Sequence, residues 1–597
     1  MKRNKLPALC AAVGVLVVIG VVYWPVHSAG FVWDDTVCMH DSPGLRHGDF
    51  WSQLYSSAFC GWKNYFRPLT VAMFAVELRS FGVTPGPMHL IALALHLANT
   101  ILIGWLAATL SRRGGTTMSW TSALAMALYG LHPALIEPVV WISCRADLAV
   151  TFLMLLGLLA NGAIRGTATR AIAIGILFFM AAMTKEAAIS FPGFLLLFDW
   201  IGVEADNDRL SVKDRLRAIL RRQWPVYAAV LATGIAYLVL RFAARGFLIN
   251  PSGPATMSLA ARSQIVPASL LTYWQVLIWP MASMAPTHSF EAKQFEVFSP
   301  SAVAVDLTAL AILIAGLYWT WKRNPFGYAI MAINIALFPV LRVISAQFDP
   351  SLYHERYVMT GLALATALLP CMTAYASSQL WKRPMLRVAA AIIAALWLGA
   401  AILNIGVTLP LWSNHARLWQ WDLAKDPEST TALAYLLALD DVDNQQKHAI
   451  ADQVMSRHTT CTTCLINVAA FSIGEGDSAR AEAALDLAIV RMSPESGDEV
   501  WQAYIIGRGQ LNALRGDVPG ATEAFTDAIG IDPSNPKAHF ALALALASQG
   551  RSIEARAEME KTLALLPPDE RASGERAYEL AIKSAEKSMA GKRTQAQ

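Results

Sequence analysis

Two adjacent carboxylates, Asp34 and Asp35, stand in the stretch Phe31-Val32-Trp33-Asp34-Asp35, just beyond the first apolar segment of the chain. Taking two charges out of water at the mouth of a membrane helix is expensive, so the pair needs a compensating role. One role is structural, a turn contacting headgroup water. The other is chemical, a carboxylate that deprotonates or orients a hydroxyl nucleophile. Company favours the second. Arg67, then His132, Glu137, Arg145 and Asp147, then Lys185 and Glu186, then His354, Glu355, Arg356 and Tyr357 fall on the same side of the membrane in the topology argued below. Carboxylates and cations gathered at one face can bind a phosphate-bearing lipid and activate a hydroxyl beside it.

The elements that must hold these residues are membrane helices. Of 597 residues, 55% are hydrophobic and only 15% charged, with a mean hydropathy of +0.40, which excludes an ordinary soluble enzyme. The net charge of +4 comes from basic residues clustered in short segments between apolar runs, so no nucleic-acid-binding face is expected. Lys2, Arg3 and Lys5 precede an apolar run from Leu6 to Trp24, and the weak cleavage site at His27-Ser28-Ala29-Gly30 favours an uncleaved signal anchor. Candidate spans, each near the ~20 residues a bilayer needs, cover about 6–25, 89–110, 119–139, 147–164, 224–242, 300–321, 326–343, 357–379 and 388–410. Two shorter apolar stretches lie between Arg170 and Trp200, separated by Lys185-Glu186.

Basic clusters mark the cytoplasmic side: the N-terminus, Arg112-Arg113, Arg165 with Arg170, the group from Arg209 to Arg222, Lys322-Arg323, and Lys382-Arg383 with Arg387. They alternate only if Ile265–Met284, which carries Pro267 and Pro280, does not cross. About eleven spans result, with the N-terminus cytoplasmic and the C-terminus outside. The first exoplasmic loop, 26–88, is rich in aromatic residues (Phe50, Trp51, Tyr55, Phe59, Trp62) at helical spacing, which suits short helices on the membrane surface. Cys38 and Cys60 share that loop and could pair there.

Beyond Pro410 the apolar runs give way to charged, Ala-rich helical sequence. Gly516 and Gly550, Ala521 and Ala555, and Pro533 and Pro567 are each 34 positions apart, with an earlier unit at Gly476, Asp477, Ala481, Leu485 and Ala488. Glycine at an inter-helix turn, small alanine at the helix contact and a closing proline at that period are the tetratricopeptide pattern. The fold class expected is therefore all-α: a polytopic membrane domain over 1–410, an interfacial linker over 411–428 carrying Trp412, Trp419 and Trp421, and a soluble tetratricopeptide-repeat α-solenoid over 429–597.

Phe31-Val32-Trp33-Asp34-Asp35, Tyr65-Phe66-Arg67-Pro68-Leu69, His89 through His96-Leu97-Ala98-Asn99, and Leu131-His132-Pro133 with Glu137 and Trp141-Ile142-Ser143-Cys144-Arg145-Ala146-Asp147-Leu148, in that order, resemble the membrane half of a GT-C glycosyltransferase. The pattern is most similar to the transmembrane and tetratricopeptide-repeat O-mannosyltransferases and their bacterial homologues. Cys144 departs from the small residue common there, and Phe66 interrupts a direct Tyr-Arg-Pro. The resemblance implies a sugar donor linked to polyprenyl phosphate, a hydroxyl acceptor, most readily on a protein, and an exoplasmic site in what would be a bacterial inner membrane. Carried over residue by residue, it implies Asp34 or Asp35 as general base and Arg67, Arg145, Lys185 and Arg356 as ligands of the donor phosphate. Glu137, Asp147, Glu186 and His132 would make secondary acidic or substrate contacts. No separate cofactor is implied; a divalent metal is possible but not indicated, since the first loop has no Asp-x-Asp pair.

Blander readings compete at several positions. His89 and His96 on a membrane helix near Asn99 suit interhelical hydrogen bonds. Cys461-Thr462-Thr463-Cys464 has no second ligand pair at zinc spacing and suits a structural disulfide or packed thiols. The alternative for the whole chain is a non-enzymatic membrane scaffold that recruits envelope proteins through its repeats.

Overall fold

Inside a bilayer a run of Leu, Val, Ala and Ile leaves the backbone no partner but itself, so such runs close into helices. The computed structural model describes residues 5–40, 45–46, 48–56, 65–111, 119–206, 211–248, 258–282, 284–290, 292–343, 351–379, 384–456, 461–493, 496–566, 571–576 and 578–584. Lys2, Arg3, Phe59, Cys60, Trp62, Arg112, Arg113, Arg209, Lys382, Arg383 and Pro567, used above, lie outside them. The chain is all-helical: among the described residues the one extended pairing is an isolated bridge between Ser289 and Ser351.

Among the described residues eight helices are long and apolar enough to cross a membrane, and ten if each of two bent pairs is one span. The count of about eleven also included 326–343, which is the shorter helix Pro325–Leu337 and a following 3-10 turn. Leu259–Ile278, which holds most of the stretch expected not to cross, is helical with Pro267 inside it and is not among the spans. Pro300–Trp321 leaves Leu307, Leu310, Ile314 and Leu317 exposed, and Pro384–Thr408 leaves Ile392, Ile393, Leu396 and Leu403 exposed. Apolar faces this extensive require lipid around them. Arg145–Ala163, by contrast, buries most of its residues and forms the centre of the membrane unit.

Three breaks in otherwise continuous helices expose polar residues to that centre. Trp120–Gly130 stops at Leu131-His132 because Pro133 cannot continue the helical hydrogen bonding, and the chain bends by 58° into Pro133–Val140. Thr167–Thr184 ends at Lys185, whose extended backbone (φ −158°, ψ 147°) precedes the 3-10 turn Glu186–Ser190. His354 is likewise extended ahead of the turn Glu355–Val358.

The described chain divides into two compact units, 1–418 and 419–597, with the boundary inside 411–428. Trp412 and Trp419 are both buried within protein rather than displayed as an interfacial belt. In the second unit, Thr462–Gly474 pairs with Ser478–Arg491, Asp498–Leu514 with Val518–Ile531, and Pro536–Ser548 with Ser552–Leu565. Each pair turns on a left-handed glycine, Gly476, Gly516 or Gly550 (φ 77°, 82° and 80°), a backbone that a side chain would strain. Ala481, Ala521 and Ala555 are fully buried at the contacts. Cys461 and Cys464 form a disulfide, and Cys38 is disulfide-bonded as well.

Candidate active site

Asp34 and Asp35 differ sharply in environment. Trp33, just before them, has a positive φ of 54°, a conformation that a tryptophan adopts only where the surrounding structure holds it. Its ring stacks on Trp141 at 4.4 Å and 7°. The turn carries Asp35 inward, where it is wholly buried and accepts hydrogen bonds from the Ser143 amide (2.7 Å) and hydroxyl (2.6 Å), with longer ones from the Ile142 and Val32 amides (both 3.4 Å). Burial pushes the Asp35 carboxyl up to about 7, against the pull of the Ser143 and Val32 hydrogen bonds and with a small further push from Asp34. Asp35 thus fastens the first loop to the turn that starts Arg145–Ala163. Asp34 is left half-buried beside it.

The three helix breaks bring the other charges together. Successive residues of an extended chain point to opposite sides. Lys185 accordingly reaches Asp147 (2.5 Å), while Glu186 receives Nε and Nη2 of Arg67 at 2.9 and 2.7 Å. Arg241, near the end of Val212–Arg245, approaches the second oxygen of Glu186 at 3.6 Å. The Arg356 guanidinium bonds to Glu137, whose other oxygen accepts the Arg356 amide at 3.1 Å, and Arg356 Nε lies 3.9 Å from Asp147. His354 Nδ1 lies 3.4 Å from Glu137, and the Arg356 guanidinium lies over Trp141 at 5.1 Å. Trp141 therefore links the Trp33–Asp34 turn to the ion pairs. Asp147 joins the Lys185 and Arg356 halves into one network.

Two expected site residues stand apart. Arg145 is fully buried, with Nη2 on Glu77 at 2.6 Å, Nη1 on the Met88 carbonyl at 2.9 Å and the guanidinium against Phe74. Burial lifts the Glu77 carboxyl above its ordinary range, with Arg145 pulling it back. His132 has both ring nitrogens engaged: Nδ1 accepts from the Ala134 amide, which leaves Nε2 to donate to the Leu277 carbonyl at 3.1 Å. Glu355 pairs with His288 at 2.9 Å, apart from the network. His96 bonds to the Gly130 carbonyl, an interhelical contact, whereas His89 bonds to the Gly30 carbonyl in the loop after the first helix.

The sequence reading missed Arg241 and Glu77. Arg241 stood at the edge of an apolar run, and Glu77 lies with Arg79 in the mostly apolar helix Pro68–Phe81. A signal existed for both, since a charge in apolar sequence needs a partner. Among the described residues no three His, Cys, Asp or Glu side chains converge as a metal set.

From Glu186 and Arg241 an apolar cavity of about 450 Å³ runs along Val212–Arg245 to Tyr227, lined by Phe178, Ile189, Leu231 and Leu238.

A multi-pass helical membrane protein with a carboxylate pair and a buried ion network at one end of its spans is thereby defined. A stretch of 216 residues, 33% of this chain, is 30% identical to protein O-mannosyl-transferase Tmtc2 of Drosophila melanogaster. Over 152 residues, 24% of the chain, it is 35% identical to protein O-mannosyl-transferase Tmtc1 of the same fly. The chain spans 22% and 16% of the lengths of those two proteins. No protein-family model matches it. Neither relative bears on the bacterial inner-membrane expectation.

Proposed function

We propose that the protein is a membrane glycosyltransferase that moves a sugar, mannose by analogy with the names of its relatives, from a polyprenyl-phosphate carrier to a hydroxyl, most readily on a protein. The observation that carries this reading is the apolar cavity ending on Glu186 and Arg241. An isoprenoid chain fits such a groove, with its phosphate meeting the cations at the groove's end. Arg67, Arg241, Lys185 and Arg356 face three carboxylates, Glu137, Asp147 and Glu186, which leaves one positive charge for the single negative charge of a phosphodiester. In the reaction Asp34 takes the acceptor's proton, the acceptor oxygen forms a bond to the anomeric carbon, and the bond from that carbon to the phosphate oxygen breaks. The departing phosphate gains a charge that the same cations stabilise. Asp35 and Arg145 act as positioning residues, Asp35 by holding the turn that presents Asp34.

The site faces the exoplasmic side in this reading, which the basic residues at the opposite ends of the spans support. The helix pairs of the second unit are tetratricopeptide repeats that dock the acceptor or a partner. The Cys461–Cys464 disulfide fits an oxidising compartment.

The reading is tested with purified full-length protein, polyprenyl-phosphate mannose and a hydroxyl-bearing peptide. Replacing Arg67 and Arg241 by Gln raises the KM for the donor at least tenfold with the fold intact. An unchanged KM refutes the phosphate assignment.

A further inference from the structure

The membrane unit holds a second and larger cavity, of about 820 Å³, at the other end of the same helices. At ~1.5 Å per residue, Gly162 lies about 26 Å along its helix from Arg145, and Arg222 about 28 Å from Arg241. Arg170 and Lys185 bracket Thr167–Thr184 in the same sense, so the two cavities lie toward opposite ends of the unit. The interior is apolar, formed by residues such as Leu106, Leu156, Leu159, Leu177 and Phe198, while Arg165, Arg170 and Arg222 line it as well. Asp199, the acid in its wall, is already satisfied: it accepts from Asn161 (2.8 Å), Gln223 (2.9 Å) and the Tyr227 hydroxyl (2.8 Å).

Arg170 is the unusual member. It is 6% exposed, its Nη1 makes a single long bond to the Ile164 carbonyl (3.4 Å), and its Nε has no partner. A buried guanidinium with unused donors costs free energy unless an anion completes it. Arginine donors over an apolar pocket between membrane helices match a lipid whose chains fill the pocket and whose phosphate meets the cations.

We propose that this cavity is a binding site for an anionic phospholipid, with acyl chain inside and phosphodiester headgroup held by Arg165, Arg170 and Arg222. Bound there, the lipid braces the contact between Arg145–Ala163, Thr167–Thr184, Phe191–Asp206 and Val212–Arg245 at the end remote from the ion network. The inference does not depend on the glycosyl-transfer reading, because it invokes none of the residues assigned to that reaction.

The test is native mass spectrometry of the full-length protein released from neutral detergent micelles. Palmitoyl-oleoyl phosphatidylglycerol and the corresponding phosphatidylcholine are added in equal amounts, and undecaprenyl phosphate and inorganic phosphate serve as competitors. Phosphatidylglycerol is expected to be retained at least tenfold over phosphatidylcholine, and Arg165→Gln/Arg170→Gln to lose that preference. Because Arg170 is buried, a second variant guards against misfolding. Gly202 lines the cavity on Phe191–Asp206 with no atom within 4 Å of where its Cβ would stand. Leucine is the stronger helix former, so Gly202→Leu fills the cavity while keeping every charge and the fold. It is expected to cut phosphatidylglycerol retention at least tenfold with no fall in thermal unfolding temperature. Equal retention of the two phospholipids overturns the proposal, as does wild-type retention by Gly202→Leu. Displacement of phosphatidylglycerol by an equimolar amount of undecaprenyl phosphate reassigns the site to the polyprenyl carrier. Displacement by millimolar inorganic phosphate reduces it to an ion site; both outcomes refute a phospholipid pocket.

Discussion

Arg145 and Glu77 offer a sharp separation of structural from substrate-binding charge. The guanidinium is 0% exposed and the Glu77 side chain 7%, so neither is screened by water. Removing one partner of such a pair leaves the other charge buried without compensation, a loss of about 3–5 kcal/mol. Glu77→Leu leaves Arg145 with the Met88 carbonyl as its one hydrogen-bond acceptor, and Arg145→Met strands the Glu77 carboxylate. Burial already lifts Glu77 above the ordinary carboxylate range even with Arg145 beside it, which means desolvation outweighs the attraction between them. Replacing both partners by apolar residues therefore removes two penalties at once, and the double variant should fall within about 1–2 kcal/mol of wild type. The assay is equilibrium unfolding of the four proteins in mixed micelles, followed by tryptophan fluorescence. Additive losses would refute the argument. So would an Arg145→Met protein of normal stability with a raised donor KM, since that would place Arg145 on substrate.

Asp35 carries a pH signature. Between the ordinary aspartate value of ~3.9 and about 7, the folded protein holds a proton that the unfolded chain has released, so stability falls as pH rises through that window and levels off above it. Thermal unfolding from pH 4.5 to 8 should show this slope in the wild type and lose it in Asp35→Asn; a flat wild-type profile contradicts the buried environment. In the second unit, Gly516→Val forces a branched side chain into a left-handed turn (φ 82°), at a cost of about 1–2 kcal/mol. Circular-dichroism melts of the protein would register it as a lower transition for those helices, and an unchanged melt would count against the turn. A reporter fused after Gln597 should be active only in its exoplasmic form, whereas cytoplasmic activity would mean a miscounted span, with Leu259–Ile278 the first suspect.

Sequence pattern made the helical membrane architecture and the paired helices of the second unit legible, because apolar runs of span length and the spacing of Gly516, Gly550, Ala521 and Ala555 are direct consequences of burial and turn geometry. Charged residues in apolar surroundings pointed to side chains that need partners, and Lys185, Glu186, Asp147, Glu137, Arg356 and Arg67 do form ion pairs at one end of the unit. Which charge pairs with which was not legible. Arg145 precedes Asp147 by two residues on one helix, yet the first turns to Glu77 and the second to Lys185, a choice made by packing across three segments distant in sequence. Nor could sequence separate Asp34 from Asp35, because the separation rests on the left-handed backbone of Trp33, a residue type with no preference for it. Spans were harder to count than to find: Pro133 and Pro370 sit within or beside bent pairs, and a bent helix and two short ones read alike in hydropathy.

Whether Asp34 is the base of a glycosyl transfer is decided by measuring transfer of radiolabelled mannose from polyprenyl phosphate to an acceptor peptide by wild type and Asp34→Asn, with unfolding temperatures recorded alongside. A general base contributes about 10²–10⁴-fold, so Asp34→Asn should lose at least a hundredfold in kcat at unchanged stability. Transfer by Asp34→Asn at the wild-type rate would contradict that role.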